Sequence, residues 1–108
     1  MNSEQLTQLT GAQLAKLIST KELSPVEVTQ AYLERIERFD HHLNSYITVC
    51  QDEALQAARE AEQAVVRGDK LGPLHGLMLA VKDQFETKDV LTTAGSKMLA
   101  NYVPKEDA

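Results

Sequence analysis

Five consecutive apolar residues, Leu77-Met78-Leu79-Ala80-Val81, lie between Gly76 and the charged pair Lys82-Asp83, and no other stretch narrows the folding alternatives so much. A continuous apolar run of this length, bounded by glycine and charge, predicts a strand buried on both faces, as in the interior of an α/β sheet. Such a strand needs neighbours along both edges and cover on both faces. The rest of the chain offers few. Tyr46-Ile47-Thr48-Val49 is β-branched and aromatic and predicts a second strand over residues 46–50, and an extended piece is expected near residues 90–93. Beyond it come only a small-residue loop and a short helix expected from Lys97 to about Tyr102. The expected sheet is therefore unfinished, and the 108 residues read as the amino-terminal part of something larger.

Helices are signalled more locally. Thr10-Gly11-Ala12-Gln13 is a capping box, in which the threonine and glutamine side chains satisfy each other's backbone donors, and Leu9 and Leu14 flank it as a hydrophobic staple. Ser24-Pro25-Val26-Glu27 repeats the design with proline at the first helical position and Leu23 and Val28 as the staple. Val28, Tyr32, Ile36, Phe39 and Leu43 continue at helical spacing as one apolar stripe. These signals predict helices over residues 10–20 and 24–43 that form a hairpin. Asp52 is expected to cap a third helix, residues 52–67, ended by Gly68, whose alanine-rich face (Ala54, Ala57, Ala58, Ala61, Ala64) wants a large partner surface. The fold class expected is α/β: an N-terminal helical hairpin leading into the start of a mixed, helix-covered sheet, with strands at about 46–50 and 77–82. Residues 1–108 form one segment of a domain.

Composition narrows the function classes. Sixteen acidic against eleven basic side chains give a net charge of -5, which opposes general binding to phosphate backbones, so no direct nucleic-acid binding is expected. The apolar run of five is far short of the roughly 20 residues of a membrane helix, so no membrane contact is expected. Cys50 is the sole cysteine and the chain opens Met1-Asn2-Ser3-Glu4 without a basic and then apolar leader, which predicts a reducing, cytoplasmic location. Apolar surface on an internal strand and an alanine-lined helix predicts self-association of the isolated chain.

Several residues have side chains able to carry chemistry. Lys82 ends the apolar run; a lysine there is either a solvated strand end or a base, and a base role requires surroundings that favour its neutral form. Strand alternation would make Lys82 and Asp83 a buried amine beside an outward carboxylate. Thr92, Thr93 and Ser96 are hydroxyls of a small-residue loop, the usual composition of turns and caps. His41 and His42 are consecutive near a helix end and are expected to point apart, favouring the helix C-terminal charge over joint metal binding. His75 reads as a structural hydrogen-bonding residue, Cys50 as a small core residue, and Arg59, Glu60, Glu62 and Arg67 as the solvated face of the third helix.

The segment Gly72-Pro73-Leu74-His75-Gly76-Leu77-Met78-Leu79-Ala80-Val81-Lys82-Asp83, followed by Thr92-Thr93-Ala94-Gly95-Ser96, resembles the lysine-bearing segment of the amidase signature family. The Ser24-Pro25-Val26-Glu27 helix start, the Leu43-Asn44-Ser45-Tyr46 passage and the alanine-rich helix agree with the amino-terminal portion of that family, so the resemblance covers nearly the whole chain. It implies amide hydrolysis by a serine, cis-serine, lysine triad, in which Lys82 matches the lysine. The resemblance places both serines in a later glycine- and serine-rich stretch, and no such run occurs here, so the chain by itself is expected to be inactive. Met78 and Gln84 depart from the residues frequent in the family, proline and asparagine. The Thr92-Thr93-Ala94-Gly95-Ser96-Lys97-Met98-Leu99 variant is similar to the glutaminase component of the tRNA-dependent amidotransferase branch. That branch implies glutamine as the ammonia source, B and C partner subunits, and ATP and Mg used by one of those partners, with no cofactor in this chain. The alternatives are a stand-alone amidase acting on another small amide, and a truncated chain serving only as an interaction module.

Overall fold

A computed structural model describes all 108 residues, and three of its four α-helices begin with the same reciprocal pair of hydrogen bonds. In α1 (Ser3–Leu6) the Asn2 side chain accepts from the Gln5 amide at 2.9 Å while the Asn2 amide donates to Gln5 Oε1 at 3.0 Å. Thr10 and Gln13 do the same for α2 (Gly11–Ser19), at 3.2 and 2.8 Å. Ser24 and Glu27 open α3 (Pro25–Leu43), with Pro25 placed where its missing N–H leaves no orphan. Each box satisfies donors that the first helical turn leaves unpaired. The fourth helix, α4 (Gln51–Arg67), starts differently: Cys50 precedes it without a side-chain cap, and Asp52, expected to be the cap, lies inside its first turn. Gly68 ends α4 in the left-handed region at φ 78°, and Asn44 ends α3 there at φ 53°.

The residues cluster into two units. The first, Met1–Asn44 with Cys50–Met78, holds the core: Leu6, Leu14, Ile18, Leu23, Val28, Ala31 and Val65, with Leu9, Leu17, Tyr32, Leu71, Leu77 and Met78 packed against it. Ile18 and Val28 are fully buried, each contributing about 1.5–3 kcal/mol by removal from water. Helix α3 is the hub, packing along α4 and against α1, so the α2–α3 hairpin expected from the short connection is not the principal pairing. Two polar links fasten the helices: Ser3 Oγ donates to Glu34 at 3.0 Å, and Ser24 Oγ donates to the Glu62 carboxylate. Glu62 is thus half-buried and engaged with the start of α3, not part of a solvated face. The turn after α4 returns to the same place, where His75 Nε2 donates to the Ala61 carbonyl at 2.9 Å and Gly76 packs at φ 79° against Pro25 and Ile18.

The second unit, Ser45–Val49 with Leu79–Ala108, is built from turns. Its regular element is a single 3-10 turn, Lys97–Leu99, where a helix to Tyr102 was expected; Ser96 caps it by accepting from the Met98 amide at 3.3 Å. The tail folds back through Thr92 N–H to Tyr102 O at 2.9 Å, Asp89 N–H to Pro104 O at 2.9 Å and Ala108 N–H to Glu86 O at 2.8 Å. The Tyr102 hydroxyl donates to Glu86 at 3.0 Å, which holds its ionisation above the usual phenol value.

No β-strand forms, so the expected α/β class is corrected: neither 46–50 nor 77–82 is a strand, and 90–93 is not one either. The apolar run divides between the units, with Leu77 and Met78 packed on the helical core and Leu79 85% exposed. Ile47, in the other expected strand, is 64% exposed. A strand owes its hydrogen bonds to another segment, and a run of suitable side chains cannot create one. The α3 stripe likewise buries only its first half: Val28 is in the core, Phe39 and Leu43 are exposed. No helix is long and apolar enough to cross a membrane.

Candidate functional site

Lys82 opens a tight turn in the second unit, its carbonyl accepting the Phe85 amide at 3.0 Å. Its side chain is exposed and that of Asp83 is half-buried, the reverse of the alternation expected of a strand. Without a pleat, neighbouring side chains need not occupy opposite faces of a sheet.

Asp83 is tied to the small-residue loop ten residues on. Its Oδ1 accepts the Thr93 amide at 2.9 Å, its Oδ2 accepts the Thr93 hydroxyl, and its carbonyl accepts the Ala94 amide at 2.8 Å. The Thr93 hydroxyl and then the Thr93 amide, aided by the Gly95 and Ala94 amides, hold the Asp83 carboxyl below its usual value against the opposing effect of desolvation. Ala94 at φ 49° and Gly95 at φ 69° turn the loop, where the Thr93 and Ala94 amides donate to Asp83 and the Gly95 amide donates to the Thr93 hydroxyl oxygen at 3.3 Å. The buried Thr92 hydroxyl donates to Val90 O at 3.0 Å. Thr92, Thr93 and Ser96 therefore all serve turns and caps, while the Asp83–Thr93 partnership was missed in the sequence. Its one signal was an acid beside Lys82 followed by a threonine-glycine turn able to supply clustered donors.

The other polar residues lie apart from this turn in the chain. His41 and His42 do not point apart: their rings meet at 3.9 Å between centroids, tilted by 42°. The guanidinium groups of Arg35 and Arg38 lie 5.1 and 5.0 Å from the Phe39 ring centre. Cys50 is half-buried. No three His, Cys, Asp or Glu side chains converge in a metal-holding arrangement.

What the Lys82 turn can do chemically is present one exposed amine from a hydrogen-bonded turn. The amidase family profile matches residues 27–108, and the chain is a member of that family. Among curated relatives, the A subunit of the glutamyl-tRNA(Gln) amidotransferase of Aromatoleum aromaticum is 48% identical over all 108 residues, which make up 21% of that protein. Its namesake from Salinispora tropica is 46% identical over 103 residues, 95% of this chain and 21% of that one. A solved structure described as part of a vestigial protein complex bearing on the origins of an s-triazine catabolic enzyme matches with a TM-score of 0.88 and 28% identity, covering 93% of this chain and 22% of that one. The chain spans about a fifth of the length of the curated relatives it matches.

Proposed function

We propose that this chain is the lysine-bearing segment of an amide hydrolase that uses a serine, cis-serine, lysine triad, with Lys82 as its base. The observation that carries this is the 48% identity over the whole chain to the Aromatoleum aromaticum amidotransferase protein, in a segment where Lys82 opens a turn held on its far side by Asp83 and Thr93. In the proposed reaction the Lys82 amine takes a proton from the bridging serine, which in turn deprotonates the nucleophilic serine; that oxygen attacks the amide carbon, the proton returns through the same serine to the departing nitrogen, ammonia leaves, and water then releases the acyl group from the serine. The base must be neutral to begin, and arginine cannot replace it because a guanidinium does not lose its proton in a protein. These residues supply the base alone, so the isolated chain is inactive. The favoured substrate is glutamine, whose ammonia amidates misacylated tRNA in a complex with B and C subunits, in the cytoplasm. ATP and Mg are assigned to one of those partners.

The test is a chimaera in which this chain replaces the corresponding fifth of the Aromatoleum aromaticum relative, assayed for ammonia release from glutamine. Lys82→Arg and Lys82→Met abolish turnover while the melting temperature holds. Retained turnover in the arginine variant removes the base assignment. Ammonia release by the isolated 108 residues above a Lys82→Ala control contradicts the claim that they supply only the base.

A further inference from the structure

The residue after Lys82 has both its carboxylate oxygens and its carbonyl engaged by one loop. Thr93 donates its amide to Asp83 Oδ1 at 2.9 Å and its hydroxyl to Oδ2, and the Ala94 amide reaches the Asp83 carbonyl at 2.8 Å. The Lys82 carbonyl is held in turn by the Phe85 amide at 3.0 Å. A lysine amine rides on a flexible four-carbon stem, so its place is set only as well as its Cα is set. Here two hydrogen-bonded anchors follow that Cα directly, the Lys82 carbonyl and Asp83, the second charged and therefore among the stronger kinds of hydrogen bond.

We propose that Asp83 is a positioning residue, which with Thr93 fixes the Lys82 turn and keeps the neighbouring carboxylate directed into the 92–96 loop. The proposal rests on the reading of Lys82 as the base. Thr93 is its other half, because a side chain at that position must donate a hydroxyl to close the second contact. Loss of either half lets the Cα of Lys82 shift, and misplacement of a reacting group by about 1 Å can lower turnover by about a hundredfold.

The experiment is a double-mutant cycle in the same chimaera, with kcat measured per folded protein and KM alongside. Asp83→Ala and Thr93→Val each lower kcat about tenfold to a hundredfold with KM nearly unchanged. The double variant is no worse than the more severe single, since both remove one contact. Thr93→Ser recovers most of the turnover lost in Thr93→Val. Asp83→Asn, whose carboxamide can still accept the Thr93 amide and donate to the Thr93 hydroxyl, loses less than about fivefold, and it decides the matter should Thr93→Val fail to fold. Losses that multiply in the double variant, a change confined to KM, or an Asp83→Asn loss as large as that of Asp83→Ala overturns the positioning role. Lys82→Arg is run in parallel. Turnover in that variant sinks the base reading and the positioning role with it, whereas an inactive Lys82→Arg with multiplying losses sinks the positioning role alone.

Discussion

Replacing Gly76 by alanine puts a Cβ 2.9 Å from Pro25 Cγ and 3.3 Å from both Ile18 Cδ1 and Ile18 Cγ2. None of these atoms is free to retreat: Pro25 and Ile18 are fully buried, one a ring at the first turn of α3 and the other a β-branched core residue of α2. The substitution also forces a side chain onto a backbone at φ 79°, which costs about 1 kcal/mol before any contact is counted. Overpacking against a closed core adds about 1–3 kcal/mol, so the expected loss is about 2–4 kcal/mol, a large share of the ~5–15 kcal/mol typical of a whole domain. Two other glycines separate the contributions. Gly68 has φ 78° with nothing within 4 Å of its would-be Cβ, so Gly68→Ala reports the conformational penalty alone, about 1 kcal/mol. Gly72 has open space and no positive φ, so Gly72→Ala is neutral or slightly stabilising through the unfolded chain. Urea titration of the 108-residue chain followed by circular dichroism reads all three. With a slope of about 2 kcal/mol per molar, Gly76→Ala lowers the midpoint by about 1–2 M at unchanged slope. A Gly76→Ala midpoint no lower than that of Gly68→Ala would refute the close packing of this turn on Pro25 and Ile18.

Two further outcomes are expected of the same chain. Ser24→Ala removes the cap on α3 and the donor to Glu62 together, lowering stability by about 1–3 kcal/mol; Glu62→Ala added to Ser24→Ala costs less than it does alone, and strict additivity in urea titrations would show that the two side chains do not interact. Because the folded Asp83 carboxyl ionises below its ordinary value of 3.8, its stabilising contribution is fully present above that value and is lost as pH falls through the lower folded one. Proton exchange and chemical shifts of the Thr93 amide should follow that acid transition and lose it in Asp83→Asn; an Asp83 titration at or above 3.8 contradicts the contact.

Helix starts were legible because their chemistry is local: Thr10 with Gln13 and Ser24 with Glu27 satisfy each other across three residues, and the staple pairs Leu9 with Leu14 and Leu23 with Val28 come to lie at the core. Gly68 and its positive φ belong to the same order of information. Asn2 with Gln5 is one more such box, readable in principle and overlooked, which leaves α1 the unpredicted helix. The motif around Lys82 was legible as well, since a lysine between a Pro-Gly turn and a Thr-Thr-Ala-Gly-Ser loop is a linear pattern that identifies the family without any coordinates.

What the chain alone could not disclose depends on segments distant in sequence. Tyr46 to Val49 and Leu77 to Val81 carry strand-like side chains, yet a strand exists only where another backbone supplies its hydrogen bonds, and the tertiary structure provides none of those ladders. Whether Glu62 is solvated or bound to Ser24 depends on α4 lying along α3, and whether Phe39 is buried depends on what reaches the far half of α3. Asp83 is the sharpest case. Ten residues separate it from Thr93, and only the turn that brings them together converts an apparently outward carboxylate into the acceptor of the Thr93 amide and hydroxyl. Local hydrogen bonds and staples determine where helices begin and end; contacts across sequence distance determine which polar groups meet and which apolar runs find cover.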